Sequence, residues 1–485
     1  MNTNFDVVIV GAGPAGLYCA YKLITENKNL KVAIYEKGND IDNRKCPAIQ
    51  NKISCVHCPN CSIMTGVAGA GAFSDGKFPI TNDFGGTLWE KCGKEKALDY
   101  MRQIDATNEK FYNAVNGGCS NTLPWPQLYT TKNTPYKKIC TQHNLHLLDA
   151  DIRHLGTDIS QFIFRFLYNY LLSKGVQIFT NTEIDYEILY DTDKKCYFIK
   201  DTKDPIKVWT KTDKLVIAAG RVGSKWVENL CKKLEIPTHS NRVDLGIRFE
   251  CPDEIWSHIT KDLYESKIVY KTKTYEDEVR TFCMNPSGYV VTEHTNSGIT
   301  VNGHSFEAKD KKSTNTNFAL LVSKTFTEPF DDSNEYGEAI IKLSNMLGGG
   351  VIVQRYGDLI RGRRSTKDHI KHNSVIPTLN AEPGDLSLVL PKRILDDILE
   401  MIEKLDHLVP GMANDDNLLY GVEAKFYNMT VDSNEKCEAK SYPGLYFAGD
   451  GAGYTHSLSQ AAANGLYIAE NILETLNVDA QNKYN

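Results

Sequence analysis

The stretch that decides the fold is Val7-Val8-Ile9-Val10-Gly11-Ala12-Gly13-Pro14-Ala15-Gly16. Its first four residues are apolar and β-branched, which is typical of a strand buried on both faces of a parallel sheet. The glycine-rich turn that follows leads into a helical stretch at 17–23 and then into a second apolar strand at 31–35. A strand, a turn, a helix and a strand within about 30 residues predict a βαβ unit.

The glycines of this turn serve different purposes in a dinucleotide-binding unit. Gly11 permits the tight turn, Gly13 lets a pyrophosphate approach the backbone, and Gly16 lets the helix pack closely on the strand. Pro14 and Ala15 lie between them and are predicted contacts of the same cofactor. The N-terminus of the helix offers free N–H groups and the positive end of its dipole to phosphates. We therefore expect a dinucleotide at residues 11–16.

An acidic residue follows at the spacing that such a unit requires. Glu36 lies 20 residues beyond Gly16, at the end of the second strand. A carboxylate there accepts hydrogen bonds from the hydroxyls of the adenosine ribose. It also repels a 2′-phosphate, which disfavours NADP at this position. Lys37 follows directly and is included among the predicted cofactor contacts.

Two more apolar strands end in glycine turns. One runs over 214–219 and ends at Gly220, and the other runs over 444–448 into Gly449 and Asp450. An aspartate at such a strand end can hold the ribityl and pyrophosphate groups of a flavin dinucleotide. The three segments 11–36, 214–221 and 444–453 thus form a specific order along nearly the whole chain.

This order resembles flavoproteins of the glutathione-reductase-type FAD superfamily, and the resemblance implies that the cofactor is FAD. In that superfamily an arginine a few residues beyond the acidic strand end often contacts FAD, and Arg44 is placed to match. A second glycine motif of the type G-x-G-x-x-G after a mid-chain strand is missing. A pyridine nucleotide, NADH or NADPH, is therefore expected to bind only transiently as an electron donor, if it is the donor.

A closer resemblance begins at 66–77, Gly-Val-Ala-Gly-Ala-Gly-Ala-Phe-Ser-Asp-Gly-Lys. This segment is similar to the GxGGAGxFSDGK segment of a family of uncharacterised FAD-dependent dehydrogenases, also described as NAD/FAD-utilising dehydrogenases. Other segments that resemble this family are 154–158, 219–226, 282–291, 301–303, 354–355 and 449–454. Two segments depart from its pattern, 421–429 and 455–457, so the substrate or the reactivity is expected to differ.

Several residues near the implied flavin are candidates for catalysis. The glycines of 66–77, Gly71 among them, allow backbone to approach a flat ring closely. Lys77 and Asp75 are placed to tune or protonate a flavin or substrate, although residues of this kind are more often solvated loop charges. His456, at the start of the last predicted helix, could place a donor near the pyrimidine edge of the flavin. The helix N-terminus there would stabilise an anionic reduced flavin.

A cysteine cluster precedes the glycine loop. Cys46, Cys55, Cys58 and Cys61 have the spacing C-x8-C-x2-C-x2-C, whose last three members match part of a bacterial ferredoxin motif. Thiolates at this spacing suit an iron–sulfur cluster or zinc, and His57 could replace one of them on zinc. A redox dithiol of Cys55 and Cys58, or inert thiols, remain alternatives.

Composition excludes several classes of protein. The chain has 485 residues and a net charge of −6, which argues against a nucleic-acid binder and a polybasic membrane-surface protein. Thirteen cysteines are too few for a disulfide scaffold. No apolar run approaches a membrane span and the N-terminus lacks the basic region of a signal peptide, so a cytoplasmic protein is expected. Hydrolase and nucleotidase motifs are missing.

These observations predict an α/β fold with a discontinuous Rossmann-like FAD-binding domain and an inserted α+β substrate domain. The predicted FAD-binding domain comprises 1–80, 150–235 and 440–485, and the predicted substrate domain comprises 81–149 and 236–439. Helices are expected near 157–174 and 459–476, and an amphipathic helix near 394–405.

The expected activity is that of an FAD-dependent oxidoreductase that moves a hydride between FAD and a small organic substrate. The alternatives are an NAD(P)H-dependent flavin monooxygenase and a flavin-binding redox sensor or scaffold without turnover. A redox partner protein is a further candidate. The basic residues at 361–367, together with Arg221 and Arg248, could serve either an anionic ligand or the fold alone.

Overall fold

The computed structural model describes residues 4–51, 53, 56, 58, 60–116, 125–203, 208–263, 265–295, 297–305 and 309–484. The chain divides into two compact units. The first unit comprises 1–128, 151–239 and 428–485, and the second comprises 129–150 and 240–427. Within the described ranges, no helix combines the length and the apolar composition that a membrane crossing requires.

The strands of the described residues are numbered in chain order. Their bounds are β1 (Asn4–Val10), β2 (Val32–Tyr35), β3 (Lys77–Ile80), β4 (Leu128–Thr130), β5 (His146–Leu147), β6 (Asp151–His154), β7 (Gln177–Phe179), β8 (Leu189–Asp191), β9 (Cys196–Ile199), β10 (Thr210–Ile217), β11 (Thr238–His239), β12 (Val243–Pro252), β13 (Ile268–Lys271), β14 (Glu278–Asn285), β15 (Tyr289–Thr295), β16 (Gly298–His304), β17 (Asn315–Lys324), β18 (Ile352–Arg355), β19 (Glu382–Pro383), β20 (Leu418–Phe426), β21 (Thr430–Val431) and β22 (Leu445–Phe447).

The α-helices are numbered in the same way. Their bounds are α1 (Pro14–Glu26), α2 (Pro47–Asn51), α3 (Leu88–Cys92), α4 (Lys94–Asn116), α5 (Pro135–Gln142), α6 (Gly156–Ser173), α7 (Ser224–Lys233), α8 (Asp253–Leu263), α9 (Ser333–Gly348), α10 (Tyr356–Ile360), α11 (Lys367–Lys371), α12 (Lys392–Leu408) and α13 (Leu458–Tyr484). Short 3₁₀ turns occur at Gly69–Phe73, Arg221–Gly223 and Gly449–Ala452, among other places.

The main sheet of the first unit has the strand order β7-β2-β1-β10-β9-β8, and β22 also pairs with β10. Strands β7, β2, β1, β10 and β22 are parallel, whereas β8 and β9 are added in antiparallel fashion. All four residues of 7–10 are buried, as their apolar side chains predict for a central parallel strand. The predicted α/β, Rossmann-like fold class is confirmed.

Helices α1 and α13 pack against each other through small residues. A Cβ atom at Gly465 would lie only 2.2 Å from the carbonyl oxygen of Ala15, so glycine is needed for this close approach. The neighbouring Ala462 and Ala463 are fully buried. This packing fixes the start of α1, which follows the glycine turn, on the long C-terminal helix.

The compact units differ from the sequence-based boundaries at 81–128, 236–239 and 428–439, which the sequence assigns to the inserted domain and which lie in the first unit. Residues 81–128 lie in the first unit because α4 packs on other helices of that unit. The ring of Phe111 in α4 lies 5.4 Å from that of Tyr21 and 5.0 Å from that of Phe166. These apolar contacts join segments far apart in sequence, so local patterns could not reveal them.

The second unit is built on an eight-stranded sheet with the order β19-β18-β20-β12-β17-β14-β13-β5. All neighbours in it are antiparallel except β18 and β19. The central strand β12 alternates strictly. Val243, Leu245, Ile247 and Phe249 belong to the apolar core, so the polar residues between them point to the opposite face.

Helices α8 and α12 cover the apolar face of this sheet. Trp256 of α8 is fully buried, and its ring lies 5.0 Å from that of Phe318. In α12, Ile398, Met401 and Ile402 are buried at helical spacing, which agrees with the amphipathic helix predicted for 394–405. A smaller apolar cluster is formed by side chains of the β15–β16 hairpin and of β18 and β20.

Candidate functional site

The glycine turn after β1 is held in a conformation that glycine alone allows. Gly11 has a φ of +107°, and a Cβ atom there would lie 2.3 Å from the carbonyl oxygen of Ala218. A Cβ atom at Gly16 would lie 2.1 Å from the carbonyl oxygen of Gly11. Both glycines are therefore required by the protein's own packing, as their positions in the motif predict.

Gly13 differs from these two glycines in a way that points to a ligand. Its φ of −73° is ordinary for any residue, and no atom of the described residues lies within 4 Å of the place where its Cβ would be. Neither the backbone conformation nor the protein's packing therefore requires glycine here. The open space lies at the N-terminus of α1, where Gly13 makes no side-chain cap and the first turn contains no acidic residue. Uncapped N–H groups beside open space fit the pyrophosphate of a dinucleotide.

Pro14 and Ala15 complete this end of the helix. Pro14 occupies the first turn of α1, where its missing N–H is no loss. Ala15 is buried, and a Cβ atom at Gly449 would lie 3.0 Å from the Cβ of Ala15. The start of α1 and the C-terminal glycine turn are thus neighbours.

Glu36 is at the end of β2 and is almost fully buried. Its Oε2 accepts a hydrogen bond of 3.0 Å from the N–H of Ala12, and its Oε1 accepts bonds from the N–H groups of Gly38 and Gly66 at 2.9 and 3.1 Å. The carboxylate therefore ties three glycine-containing segments together. Each carboxylate oxygen can accept two hydrogen bonds, so Oε2 keeps capacity for a ribose hydroxyl. Lys37 follows it and is partly exposed.

The glycine loop at 66–71 lies against the turn after β1. The N–H of Ala68 donates to the carbonyl oxygen of Ala12 at 2.7 Å, and Ala68 adopts a φ of +70°. Gly71 is buried, and a Cβ atom there would lie 2.8 Å from Leu458 and 3.4 Å from Pro14. The two glycine segments, 55 residues apart in sequence between Gly11 and Gly66, thus form one surface.

Arg44 stabilises this loop from within. Its Nε donates to the carbonyl oxygen of Ser62 at 2.9 Å, its Nη2 to that of Ile63 at 2.7 Å, and its Nη1 to those of Val67 and Gly69 at 2.7 Å. Four of the five N–H donors of the guanidinium are therefore used by backbone. Burial lowers the pKa of Arg44 to about 10, although Glu36 and Cys61 oppose this effect. One donor remains for the FAD contact that the sequence predicts.

The third glycine turn surrounds Asp450. Its Oδ2 accepts a hydrogen bond from Arg221 Nε at 2.8 Å, and its Oδ1 accepts one from Thr455 Oγ1 at 2.7 Å. Gly220 lies directly before Arg221 and has a φ of +63°, and none of the described atoms lies within 4 Å of its Cβ position. A Cβ atom at Gly451 would lie 2.9 Å from the N–H nitrogen of Gly220, so the mid-chain and C-terminal turns are in contact.

The candidate catalytic lysine follows the glycine loop. Lys77 begins β3, its side chain is 14% exposed, and its Nζ lies 3.0 Å from Asp75 Oδ2. Gly76 between them has a φ of +66° and accepts a hydrogen bond from the N–H of Leu155 at 3.0 Å. The ion pair is therefore fixed by a turn that is itself held by the backbone of 155–156.

His456 lies in the short connection between the C-terminal glycine turn and α13. Its N–H donates to the carbonyl oxygen of Gly85 at 2.8 Å, and its own carbonyl oxygen accepts from Arg221 Nη2 at 3.4 Å. Nearby, the side chain of Gln460 donates to the carbonyl oxygens of Thr81 and Phe84. Sequence reasoning missed these partners of 81–86 because they are 370 or more residues away along the chain.

The cysteine cluster is described only in part. Cys46, Cys58 and Cys61 are free thiols, whereas Cys55 and His57 lie outside the described residues. At the described positions, no group of three or more histidine, cysteine or acidic side chains could hold a metal ion. The iron–sulfur and zinc predictions for this cluster therefore stay predictions.

Two family models match the chain. Residues 5–57 match the model described as pyridine nucleotide-disulphide oxidoreductase, and residues 253–426 match the one described as FAD-dependent protein, C-terminal domain-like. The chain is an FAD-dependent oxidoreductase. The first match covers β1, α1, β2 and Glu36 of the enzyme, and the second falls within its second unit.

The enzyme is also similar to individual proteins. An uncharacterized protein of Clostridium beijerinckii is 25% identical over 490 residues, which cover 96% of this chain and 80% of the relative. A thiamine thiazole synthase of Coprinopsis cinerea is 64% identical over 33 residues, or 7% of this chain and 10% of that protein. Among solved structures, glycine oxidase from Geobacillus kaustophilus aligns with 98% of this chain and 95% of its own, at 13% identity and a TM-score of 0.40.

Proposed function

We propose that the enzyme transfers a hydride between FAD bound in the first unit and a small organic substrate. The observation that carries the proposal is the open side of Gly13 at the uncapped start of α1. Together with Glu36 and Asp450, it supports a site for an extended dinucleotide. FAD supplies the hydride chemistry when it is bound, and the protein positions and tunes it.

In this proposal, different residues of the first unit bind different parts of FAD. The N–H groups at 13–16 hold the pyrophosphate, and Glu36 accepts from the adenosine ribose. Asp450, whose carboxylate is oriented by Arg221 and Thr455, holds the ribityl chain. Apart from Val67, the loop at 66–71 contains only glycine and alanine, and this supports close contact with a flat ring.

Lys77 and His456 are the proposed catalytic residues. The ammonium of Lys77 is held by Asp75 and can donate a proton or balance negative charge on a reacting group. His456 precedes α13, whose N-terminus favours negative charge nearby. Neither role requires a metal ion.

The second unit is proposed to recognise the substrate. Its match to the C-terminal domain of FAD-dependent proteins and the polar face of its sheet support this role. The resemblance of 66–77 and the other segments supports membership of the FAD-dependent dehydrogenase family. NADH or NADPH is the proposed transient electron donor, because the chain has a single G-x-G-x-x-G turn after an apolar strand.

The proposal is tested with protein purified under anaerobic conditions. The visible spectrum is expected to show two resolved flavin bands, and extraction should release one FAD per chain. NADH and NADPH are then added separately in a stopped-flow instrument, and bleaching of the flavin bands reports hydride transfer to FAD. Bleaching by one of them, followed by recovery with an organic acceptor in the absence of oxygen, is the expected result.

Other outcomes separate the alternatives. Rapid oxygen consumption coupled to oxygenation of a substrate would replace hydride transfer by a monooxygenase reaction. A broad brown absorbance beneath the flavin bands would assign an iron–sulfur cluster to Cys46, Cys55, Cys58 and Cys61. A protein that stays colourless after FAD is added would overturn the proposal.

A further inference from the structure

Two arginines meet near the start of β12, on the polar face of the sheet in the second unit. Arg242 directly precedes β12, and Arg280 belongs to β14. Both interact with Asp244 of β12, which is fully buried. The neighbours of Asp244 along the strand, Val243 and Leu245, belong to the apolar core, so Asp244 points to the opposite face. The two guanidinium groups therefore converge on that polar face.

Arg280 is the more buried of the two arginines, with 14% of its side chain exposed. Its Nη2 donates to Asp244 Oδ2 and to Tyr427 Oη, the latter at 2.8 Å. Tyr427 Oη donates in turn to the same carboxylate oxygen at 2.5 Å, and Ser323 Oγ donates to the other carboxylate oxygen at 2.6 Å. These hydrogen bonds hold Arg280 in one orientation.

The remaining donors of Arg280 are not used by the protein. Among the described residues, neither its Nε nor its Nη1 has a hydrogen-bond partner, and Nε is buried. A buried N–H group without an acceptor costs free energy, and native structures rarely leave one unpaired. An oxygen atom of a ligand would supply an acceptor.

Arg242 is the accessible member of the pair, with 43% of its side chain exposed. Its Nε lies 3.7 Å from Asp244 Oδ1, which is longer than a hydrogen bond. Its guanidinium carbon lies 5.0 Å from the centre of the Tyr427 ring, a distance that allows a cation–π contact. No side-chain hydrogen bond joins Arg242 to another residue in the described part of the chain. Its guanidinium can therefore donate to a ligand.

The charges of the two arginines and of Asp244 do not cancel. Burial would raise the pKa of Asp244, but Arg280 and Arg242 hold this pKa below the usual range, so the carboxylate is ionised. Burial would lower the pKa of Arg280, but Asp244 raises it. Within the ranges that the structure describes, no other carboxylate lies at ion-pair distance from either arginine. Two positive charges and one negative charge leave an excess of one positive charge, which one bound monoanion would balance.

The neighbouring charge cluster on the same face is balanced by contrast. Arg248 is fully buried and makes a bidentate pair with Glu423, with both N–O distances at 2.7 Å. Lys425 Nζ lies 3.3 Å from Glu423 and 3.2 Å from Glu293. Each cation of this cluster thus has a carboxylate, which distinguishes it from the pair of arginines at Asp244.

An aromatic side chain lies beside Arg280. Phe282 follows it by two residues on β14, so both side chains point to the same face, and the guanidinium carbon lies 5.0 Å from the centre of the Phe282 ring. The regular alternation ends there, at a bulge that contains Cys283. Lys267 Nζ lies 4.6 Å from the same ring, but it has Glu265 at 3.7 Å as its own carboxylate. Phe282 is half-buried, so part of its ring can contact a ligand.

We propose that Arg242 and Arg280 form the substrate-recognition site of the second unit and that the substrate is an organic monocarboxylate. The two arginines bind the carboxylate, Asp244 and Tyr427 position them, and Phe282 contacts the apolar part of the molecule. A carboxylate supplies both the oxygen acceptors that Arg280 lacks and the single negative charge that the site needs. That this ligand is the substrate rests on the proposed hydride transfer, whereas the binding of a carboxylate does not.

The test measures the binding of benzoate to the FAD-loaded enzyme by isothermal titration calorimetry at neutral pH. Benzamide is the neutral probe of the same shape. Benzoate is expected to bind saturably and at least about tenfold more tightly than benzamide, because the amide cannot form charge-assisted hydrogen bonds with two guanidinium groups. Phenyl phosphate, which carries more than one negative charge, is expected to bind no more tightly than benzoate.

Variants locate the binding site. Arg242→Met should weaken benzoate binding about tenfold, because it removes an accessible cation while Arg280 still pairs with Asp244. Arg280→Lys keeps the charge but loses the planar fork of donors, so benzoate should bind about fivefold more weakly. Arg361→Met is the matched control. Arg361 is 49% exposed, but its guanidinium pairs with Asp415 at 2.7 Å, so its loss should leave the affinity for benzoate unchanged.

Three results would overturn the proposal. Equal affinities for benzoate and benzamide would show that the site does not recognise a carboxylate, a comparison that needs no variant to fold. Binding of phenyl phosphate about tenfold more tightly than benzoate would assign the site to a phosphate. An unchanged affinity for benzoate in a folded Arg242→Met variant would show that the carboxylate binds elsewhere.

The heats of binding are independent of the flavin bands that report hydride transfer. If NADH or NADPH bleaches the flavin but benzoate does not bind, the proposed function stands and the carboxylate site is wrong. If benzoate binds as expected but the protein takes up no FAD, the proposed function is wrong and the carboxylate site stands.

Discussion

The sheets of the two units differ in how they accommodate polar and charged groups. In the first unit, polar backbone groups at the ends of parallel strands are left available, and glycines keep side chains away from them. In the second unit, full charges are buried on one face of an antiparallel sheet and are neutralised by partners on neighbouring strands. Arg248 and Glu423 are the centre of that arrangement, with no exposure of either side chain. The open turns of the first unit thus leave room for a ligand, whereas the buried charges of the second unit are paired with one another.

The largest effect is expected from removing one member of the buried ion pair in the second unit. Glu423→Gln leaves Arg248 buried without its bidentate carboxylate, and loss of one partner of a buried ion pair costs about 3–5 kcal/mol. The measurement is urea unfolding of the FAD-loaded enzyme, followed by circular dichroism. Glu293→Gln is the control, because its carboxylate is 42% exposed and its loss should cost less than about 1 kcal/mol. Equal costs for the two variants would show that Arg248 does not depend on Glu423.

The next largest effect is expected at the glycine turn of the first unit. Gly13→Val places two methyl groups in the space beside the start of α1, where the part of the chain that the structure describes has no atom within 4 Å of the Cβ position. We expect FAD affinity to fall at least about 100-fold, which corresponds to about 2.8 kcal/mol, with an unchanged circular dichroism spectrum. FAD binding is measured by quenching of its fluorescence on titration into apoprotein. Gly175→Asn, at an open left-handed position after α6, should bind FAD normally. Normal FAD affinity in the Gly13→Val variant would show that the pyrophosphate does not bind at this position.

A smaller effect is expected at the edge of the same site. Asp450→Asn removes the charge that pairs with Arg221 and halves the acceptor capacity towards the ribityl chain. FAD affinity should fall about tenfold, or about 1.4 kcal/mol. The same fluorescence titration reports it, and Asp432→Asn, which loses only a surface pair with Lys440, should have no effect on FAD. An unchanged affinity in Asp450→Asn would place the ribityl chain elsewhere.

The smallest effect is a pH dependence in the second unit. Asp397 is buried, and burial together with the nearby Asp277 raises its pKa to about 6, despite a hydrogen bond from Thr272. Burial opposes the shift of Asp277, but Arg393 and Lys324 hold its pKa well below the usual range. Since Asp397 binds its proton more tightly in the folded state, its contribution to stability is complete below its ordinary pKa of 3.8. That contribution is lost as pH rises through about 6.

Asp397→Asn should remove this loss, because the amide mimics the neutral carboxylic acid and can donate to Asp277. We expect the variant to be more stable than the natural chain at neutral pH, by about 1 kcal/mol, and equal to it at low pH. Thermal unfolding between pH 4 and 7 measures the difference. Asp368→Asn, whose side chain is 80% exposed, is the control and should leave the pH profile unchanged. A parallel profile for Asp397→Asn would mean that Asp397 is ionised throughout.

The sequence predicts the first unit better than the second for a physical reason. Residues 7–16 form a contiguous strand, turn and helix, and Glu36 lies at a fixed spacing from them, so local patterns suffice. The contacts of Glu36 with Gly38 and Gly66 were not predictable, because no periodicity links them. Arg44 is a similar case, since its position suggested a ligand contact while its donors bind backbone carbonyls. The fold class followed from the motifs, but the partners of those motifs did not.

In the second unit the pairing is almost entirely long-range. Strand β12 pairs Arg248 with Ala319 on one side and with Tyr420 on the other. The sequence shows the alternation of β12, but not which strands flank it, so the charge cluster around Arg248 could not be assembled in advance. The bulge at Cys283 was equally hidden, because its pattern is that of an ordinary strand. Local sequence patterns do not reveal a site that is built by antiparallel strands far apart in the sequence.

The contacts of Arg44 have a consequence for how the chain can vary. Since its guanidinium binds the carbonyl oxygens of Ser62 and Ile63, the two ends of the intervening stretch are tied together at one point. Arg44 and Ser62 are therefore neighbours in space, and the loop that they close contains all four clustered cysteines in its sequence. Doubling the length of such a loop costs only about 0.6 kcal/mol of closure entropy. Residues could be added to or removed from it at little energetic cost, while the glycine loop beyond it keeps its place.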